Sequence, residues 1–140
     1  GIPEFLENIL NSKQDKVELW GDGSPLREFL YSEDLADAVV YLMENCDAVD
    51  LRTPTGDFVN VGSGIELSIK ELAEKISKIV YENTENRTCK LEWDSSKPNG
   101  TPRKLCDITR IMNLGWKPKT SLNEGIRLAY NDFLAGDIKK

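Results

Sequence analysis

The ten residues Ser95-Ser96-Lys97-Pro98-Asn99-Gly100-Thr101-Pro102-Arg103-Lys104 hold three cations and no acid, in a chain whose net charge is −6. Two prolines stiffen the stretch, and Gly100 lets a ligand come close to the backbone. Arg103 offers a planar fork to phosphate oxygens, while Lys97 and Lys104 offer mobile point charges. A second group is Trp20-Gly21-Asp22-Gly23-Ser24-Pro25-Leu26-Arg27-Glu28-Phe29. There an aromatic ring and an arginine flank a glycine-rich loop. That combination suits stacking on a ring and clamping of an anionic or hydroxyl-rich ligand. By spacing alone, each stretch also fits a plainer reading: a solvated basic loop, and a packed Trp beside a surface Arg.

Other chemistry is excluded by composition. The chain contains no histidine, so it holds no His-based triad, His metal site or His general base. Neither Gly21-x-Gly23 nor Gly62-x-Gly64 completes GxGxxG, because Leu26 and Leu67 stand at the third glycine's place. There is no Walker A loop. Four residues after Tyr31, Tyr41, Tyr81 and Tyr130 come Leu35, Asn45, Glu85 and Leu134, never lysine. Asp34 reads as a helix-start charge rather than a general base. Catalytic, cofactor-binding and metal-binding residues are therefore all expected to be absent from this stretch. What remains is a binding pattern.

Cys46, Cys89 and Cys106 are odd in number, far apart and without a CxxC pair. They read as reduced, partly buried thiols of a cytoplasmic protein. Asn86-Arg87-Thr88 and Asn99-Gly100-Thr101 match the glycosylation sequon by chance on this reading. The acidic balance disfavours nucleic acid as a partner. No apolar run approaches the roughly 20 residues that cross a bilayer. The start, Gly1 to Phe5, lacks the basic and apolar regions of a secretory signal and reads equally as native sequence or an expression-vector remnant.

The elements that must position these residues alternate between strand and helix. A helix is expected over residues 3–11, with Pro3 in its first turn. Val17–Trp20 and Cys89–Trp93 alternate as strands, and Arg27–Tyr31 is extended. Ser32 is expected to cap a helix whose core stripe is Leu35, Ala38, Val39, Leu42 and Met43. Phe58–Val61 reads as a strand ending at Gly62-Ser63-Gly64. Ser68 with Glu71, and Ser121 with Glu124, form capping boxes. The helices they open bury Ile69, Leu72, Ile76, Ile79 and Val80, and then Leu122, Ile126, Ala129 and Phe133. Asp107 opens a short helix ending at Leu114-Gly115, and residues 136–140 fray. The class is α/β, one domain over residues 1–140 with four to five helices. Its few short strands fall short of a complete doubly wound sheet, so the pattern reads as half of a larger one.

At these residues the chain resembles a known family. WGDGSPLREFLYSEDLADAVVYLME and FVNVGSGIELSIKELAEKI look like the segments that follow the Rossmann core in extended short-chain dehydrogenases of the NAD-dependent epimerase/dehydratase family. The pairing of WGDGSPLREF with KPNGTPRKL, and the closing LGWKPKTSLNEGIRLAYNDFL, are similar to the GDP-L-fucose synthase group. The resemblance implies a carboxy-terminal, substrate-binding portion of an enzyme that epimerises and reduces GDP-4-keto-6-deoxymannose with NADPH. It implies that the Rossmann domain, the cofactor loop and the catalytic set lie upstream, so that this stretch alone binds no NADPH and turns nothing over. Trp20, Arg27, Asn99 and Lys104 fall on the family's substrate-binding positions, with Lys104 near the diphosphate. Asn99 stands where relatives often carry aspartate, and Leu6-Glu7-Asn8-Ile9 lacks the family's basic contact. Relatives are typically homodimers. Two other readings stay open: a related GDP-sugar enzyme, such as one for a GDP-6-deoxy-heptose, and a non-catalytic phosphate-binding module.

Overall fold

In Lys16-Val17-Glu18-Leu19-Trp20, alternation sends every second side chain to the core. Val17 is 4% exposed, whereas Trp20 on the opposite face is 69% exposed. The structure is a computed structural model and describes residues 16–54, 56–82 and 89–136. The helix expected over 3–11 and the tail after Gly136 lie outside the described residues. The first strand, β1 (Lys16–Trp20), pairs in parallel with β4 (Lys90–Asp94), with Val17 opposite Leu91 and Trp20 opposite Asp94. A second sheet has the order β3 (Glu66–Ser68), β2 (Leu26–Glu28), β5 (Arg103–Lys104). There β2 runs antiparallel to β3 and parallel to β5. Strands β3 and β5 carry too few residues for a periodic signal, and they form because distant segments reach β2.

Four α-helices are described: α1 (Ser32–Asn45), α2 (Ile69–Tyr81), α3 (Thr109–Asn113) and α4 (Leu122–Ala135), with a 3-10 turn at Ala48–Leu51. The α/β class is thus as expected. Ser68 and Glu71 close a full capping box at α2: Ser68 Oγ accepts from the Glu71 amide and the Glu71 carboxylate accepts from the Ser68 amide. At α4, Ser121 Oγ accepts from the Glu124 amide at 3.3 Å. At α1 the expectation fails. Ser32 is already helical, Tyr31 stands at the cap and no side chain caps it. The acids Glu33 and Asp34 still sit in the first turn, where the helix dipole favours them.

Two apolar clusters form the core. The larger joins Val17, Leu67, Leu72, Ile76, Ile79, Val80 and Ile126, packing α2 and α4 beneath β1 and β3. The smaller joins Ala38, Ile111 and Trp116, with Tyr41, Leu42, Val59 and Val61 against it.

Two expectations are corrected here. The stripe foreseen on α1 is core only in part: Ala38 is fully buried and Leu42 packs against the smaller cluster, but Leu35 and Val39 are each 47% exposed and Met43 is 80% exposed. Phe58–Val61 is extended but not a strand, because among the described residues no backbone hydrogen bond ties it to a neighbour. A ladder needs a partner, and the described chain supplies none there.

Candidate functional site

The loop Gly21–Pro25 carries the chain from β1 to β2 and is held on both sides. Its Gly21 amide donates to Asp94 O at 2.9 Å, and its Gly23 and Pro25 carbonyls accept from the Lys70 and Ile69 amides at 2.9 and 3.0 Å. Asp22 caps the turn internally, accepting from the Ser24 amide at 2.8 Å. Gly21 and Gly23 have φ of 82° and 75°, a region that side-chain-bearing residues rarely adopt. Space forbids a side chain as well. A Cβ on Gly21 would run into Asn99 Oδ1, and one on Gly23 would come within 2.7 Å of the Trp93 ring.

Across this loop the structure brings most of the expected site residues together. Asn99 Oδ1 accepts from the Asp22 amide at 2.8 Å. The Lys97 ammonium lies 5.5 Å from the centre of the Trp20 ring, within cation–π range. One step on, a Cβ built on Gly100 would lie 3.8 Å from Arg27 Nη2, so guanidinium and loop backbone are neighbours. Arg27 stands opposite Lys104 in the β2–β5 register, which puts both on one face of the sheet. Its Nη1 donates to Leu26 O at 2.7 Å, and among the described residues the rest of the fork has no other acceptor. Trp20, Lys97, Asn99, Arg27 and Lys104 thus form a continuous run along segment 97–104.

Arg103 is the exception. Alternation along β5 turns it to the opposite face, where Nε and Nη2 grip Glu66 at 2.8 and 2.7 Å. Both parallel bonds of its fork are committed. It ties β5 to β3, and in this structure its fork is engaged by Glu66. Among the described residues, Lys104 has no ion-pair partner, so the island's available charges are Lys97 and Lys104.

The sequence reading passed over Glu28. Its carboxylate accepts from the Cys106 amide at 2.7 Å and the Gly64 amide at 3.1 Å. Burial pushes this group up, but the amide and thiol of Cys106 and the amides of Gly64 and Ser63 outweigh it and hold the carboxyl below its usual range. The hydrogen bond to Glu28 and burial in turn push the Cys106 thiol up, which disfavours the thiolate. No periodic or spacing signal marks Glu28, because its partners are backbone amides from distant loops. Asp34, 4% exposed, accepts from the Lys119 and Thr120 amides and from Thr120 Oγ1 at 3.0, 2.8 and 2.9 Å. It is a structural anchor, in keeping with its reading as something other than a base. No cluster of three or more metal-binding side chains occurs among the described residues, and no described helix is long and apolar enough to cross a membrane.

A ring, a half-free guanidinium, two ammonium groups and an amide along one loop can hold an anion joined to a flat or hydroxylated group. The fold that presents them is shared with extended short-chain dehydrogenases that act as epimerases and reductases. One such structure, a GDP-mannoheptose C4 reductase from Campylobacter jejuni with NADP bound, superposes with a TM-score of 0.78 at 34% identity, over 95% of this chain and 44% of that one. The model of the GDP-mannose 4,6 dehydratase family matches residues 1–129, and the chain belongs to that family. Among curated relatives it is 50% identical to "Probable GDP-L-fucose synthase 1" of Oryza sativa subsp. japonica, over 98% of this chain and 39% of that protein. It is 45% identical to GDP-L-fucose synthase 1 of Arabidopsis thaliana, over 95% of this chain and 38% of that protein. The chain therefore spans about two fifths of the length of the curated relatives it matches.

Proposed function

We propose that this chain is the GDP-sugar-binding portion of a longer, NADPH-dependent epimerase and reductase that converts GDP-4-keto-6-deoxymannose to GDP-L-fucose. The observation that carries the proposal is that segment 97–104 brings Lys97 over Trp20, Asn99 against the Asp22 amide, Gly100 beside Arg27 and Lys104 opposite Arg27. A sugar diphosphate needs cations at the diphosphate and donors around the ring system. Lys104 and Arg27 supply charge and bidentate donation. Trp20 offers a ring face, and Lys97, mobile on its stem, can leave that face for a phosphate oxygen. Asn99 holds the Gly21–Pro25 loop in shape by accepting from the Asp22 amide. Hydride transfer, proton transfer and NADPH binding are assigned to the Rossmann domain of the longer protein. On this reading the 140 residues alone turn nothing over.

A related substrate is favoured by one finding, the likeness to the C. jejuni GDP-mannoheptose C4 reductase. Under that alternative the same residues hold a GDP-heptose, and the longer enzyme reduces it.

Tryptophan fluorescence tests the site. GDP-mannose should quench or enhance the emission of the chain saturably, and Trp20→Phe should remove most of the change. A full signal in Trp20→Phe would place the ligand near Trp93 or Trp116 instead and overturn the assignment. Turnover of GDP-4-keto-6-deoxymannose against a GDP-4-keto-heptose by the longer protein separates the two substrates.

A further inference from the structure

Two carboxylates stand directly opposite each other in the second sheet, Glu28 of β2 and Glu66 of β3. Like charges in such a pair destabilise a sheet, so each acid needs a partner of its own. Glu66 takes the fork of Arg103 at 2.8 and 2.7 Å. Glu28 takes two backbone amides, Cys106 on Oε1 at 2.7 Å and Gly64 on Oε2 at 3.1 Å. Both oxygens must accept, which a carboxylate does and a side-chain amide does not. The turn Gly62-Ser63-Gly64, which completes no nucleotide-binding motif, leaves room for this carboxylate. Gly62 is buried, and a Cβ built on it would lie 2.6 Å from Glu28 Oε2.

Both acids hold the same piece of chain. Strand β5 is two residues long, and its ladder with β2 stops where Arg27 stands opposite Lys104. Side chains alternate between the faces of a sheet, so Glu28, Glu66 and Arg103 share the face opposite Arg27 and Lys104. Glu66 grips the chain one residue before Lys104, and Glu28 grips it two residues after, where the ladder has ended. Lys104 is thus bracketed from the far face of the sheet. We propose that Glu28 is a positioning residue for the anion site: its carboxylate fixes the exit of β5 so that Lys104 stands beside Arg27, where a phosphate is to be held. This rests on the reading of Arg27 and Lys104 as the pair that meets the diphosphate. A lysine ammonium rides on a flexible four-carbon stem. Fixing its backbone beforehand removes part of the ordering penalty from ligand binding. Glu28 therefore acts on affinity through Lys104, without touching the ligand.

A double-mutant cycle on the full-length protein tests this, with GDP-mannose titrated calorimetrically. Glu28→Gln should weaken binding about fivefold in the wild-type background and less than about twofold in Lys104→Ala, the coupling expected of residues that act through one another. Gly62→Ala, which crowds the carboxylate from its other side, should reproduce that pattern and serves if Glu28→Gln folds poorly. Without ligand, both single variants should speed hydrogen–deuterium exchange over residues 103–107 on the order of tenfold. An equal loss of affinity with and without Lys104 would reduce Glu28 to a general structural role and overturn the proposal. Unchanged exchange over 103–107 would overturn it as well, and would leave the ligand reading intact if Lys104→Ala still weakens binding. Wild-type affinity in Lys104→Ala, or no binding of GDP-mannose by the wild type, would instead sink the ligand reading and this role for Glu28 with it.

Discussion

Adjacent cations in β5 do different work. Arg103 is spent on Glu66 through two bonds, while Lys104 faces the same way as Arg27. Lys104→Ala is therefore expected to weaken GDP binding about tenfold, the scale of one charge-assisted hydrogen bond, with little change in stability. Arg103→Ala should do the reverse, loosening β5 against β3 and lowering the melting temperature more than the affinity. Thermal melts and calorimetry of both variants check this, and equal effects on affinity would remove the distinction. Glu28 makes a prediction in pH. Its folded-state pKa is held below the ordinary 4.5, so the stabilisation is full above that value and is lost as pH falls through the lower folded pKa. Glu28→Gln should be less stable than wild type by about 1–2 kcal/mol at neutral pH, and the gap should close in acid. A gap that does not shrink at any pH below 4.5 would show that the carboxylate charge is not what the amides recognise. The sequence made Trp20, Arg27 and Lys104 legible because aromatic and basic groups stand out in an acidic chain. It concealed the contacts of Glu28 and the Arg103–Glu66 pair, because those are decided by which distant backbone or acid folds against them.

Elements whose signal is local were readable, and those that depend on a neighbour were not. The capping box at Ser68 and the stripe of α2 appear as expected, since both are set within a dozen residues. β1 and β4 were visible as alternation, though their parallel pairing was not. β3 and β5 were invisible, being short and formed only by β2 between them. Phe58–Val61 shows the converse, a strand pattern without a described partner. The link between α1 and the entry to α4 was likewise hidden in Asp34, whose charge looked like a helix-start preference. Asp34→Ala should destabilise the chain by about 1–3 kcal/mol, because it removes the acceptor of the part-buried Lys119 and Thr120 amides. Urea denaturation measures that loss. A change below 0.5 kcal/mol, roughly the level of an ordinary surface substitution, would show that water replaces the carboxylate freely.

At the scale of the whole molecule, a −6 chain carries one acid-free stretch with three cations at residues 95–104 and leaves Leu35, Val39, Val40 and Met43 of one helix exposed. The first feature supports the proposed nucleotide-sugar ligand. Most of the class was legible from motif resemblance, whereas the bare face emerged only from exposure in the fold. Calorimetric titration with GDP, GDP-mannose and NADPH, repeated on Arg27→Ala, tests the central claim most directly. The account predicts binding of both GDP compounds, weakened at least tenfold by Arg27→Ala, weaker still at high salt, and no heat from NADPH. Undiminished GDP binding by Arg27→Ala, or binding of NADPH in place of GDP, would contradict it.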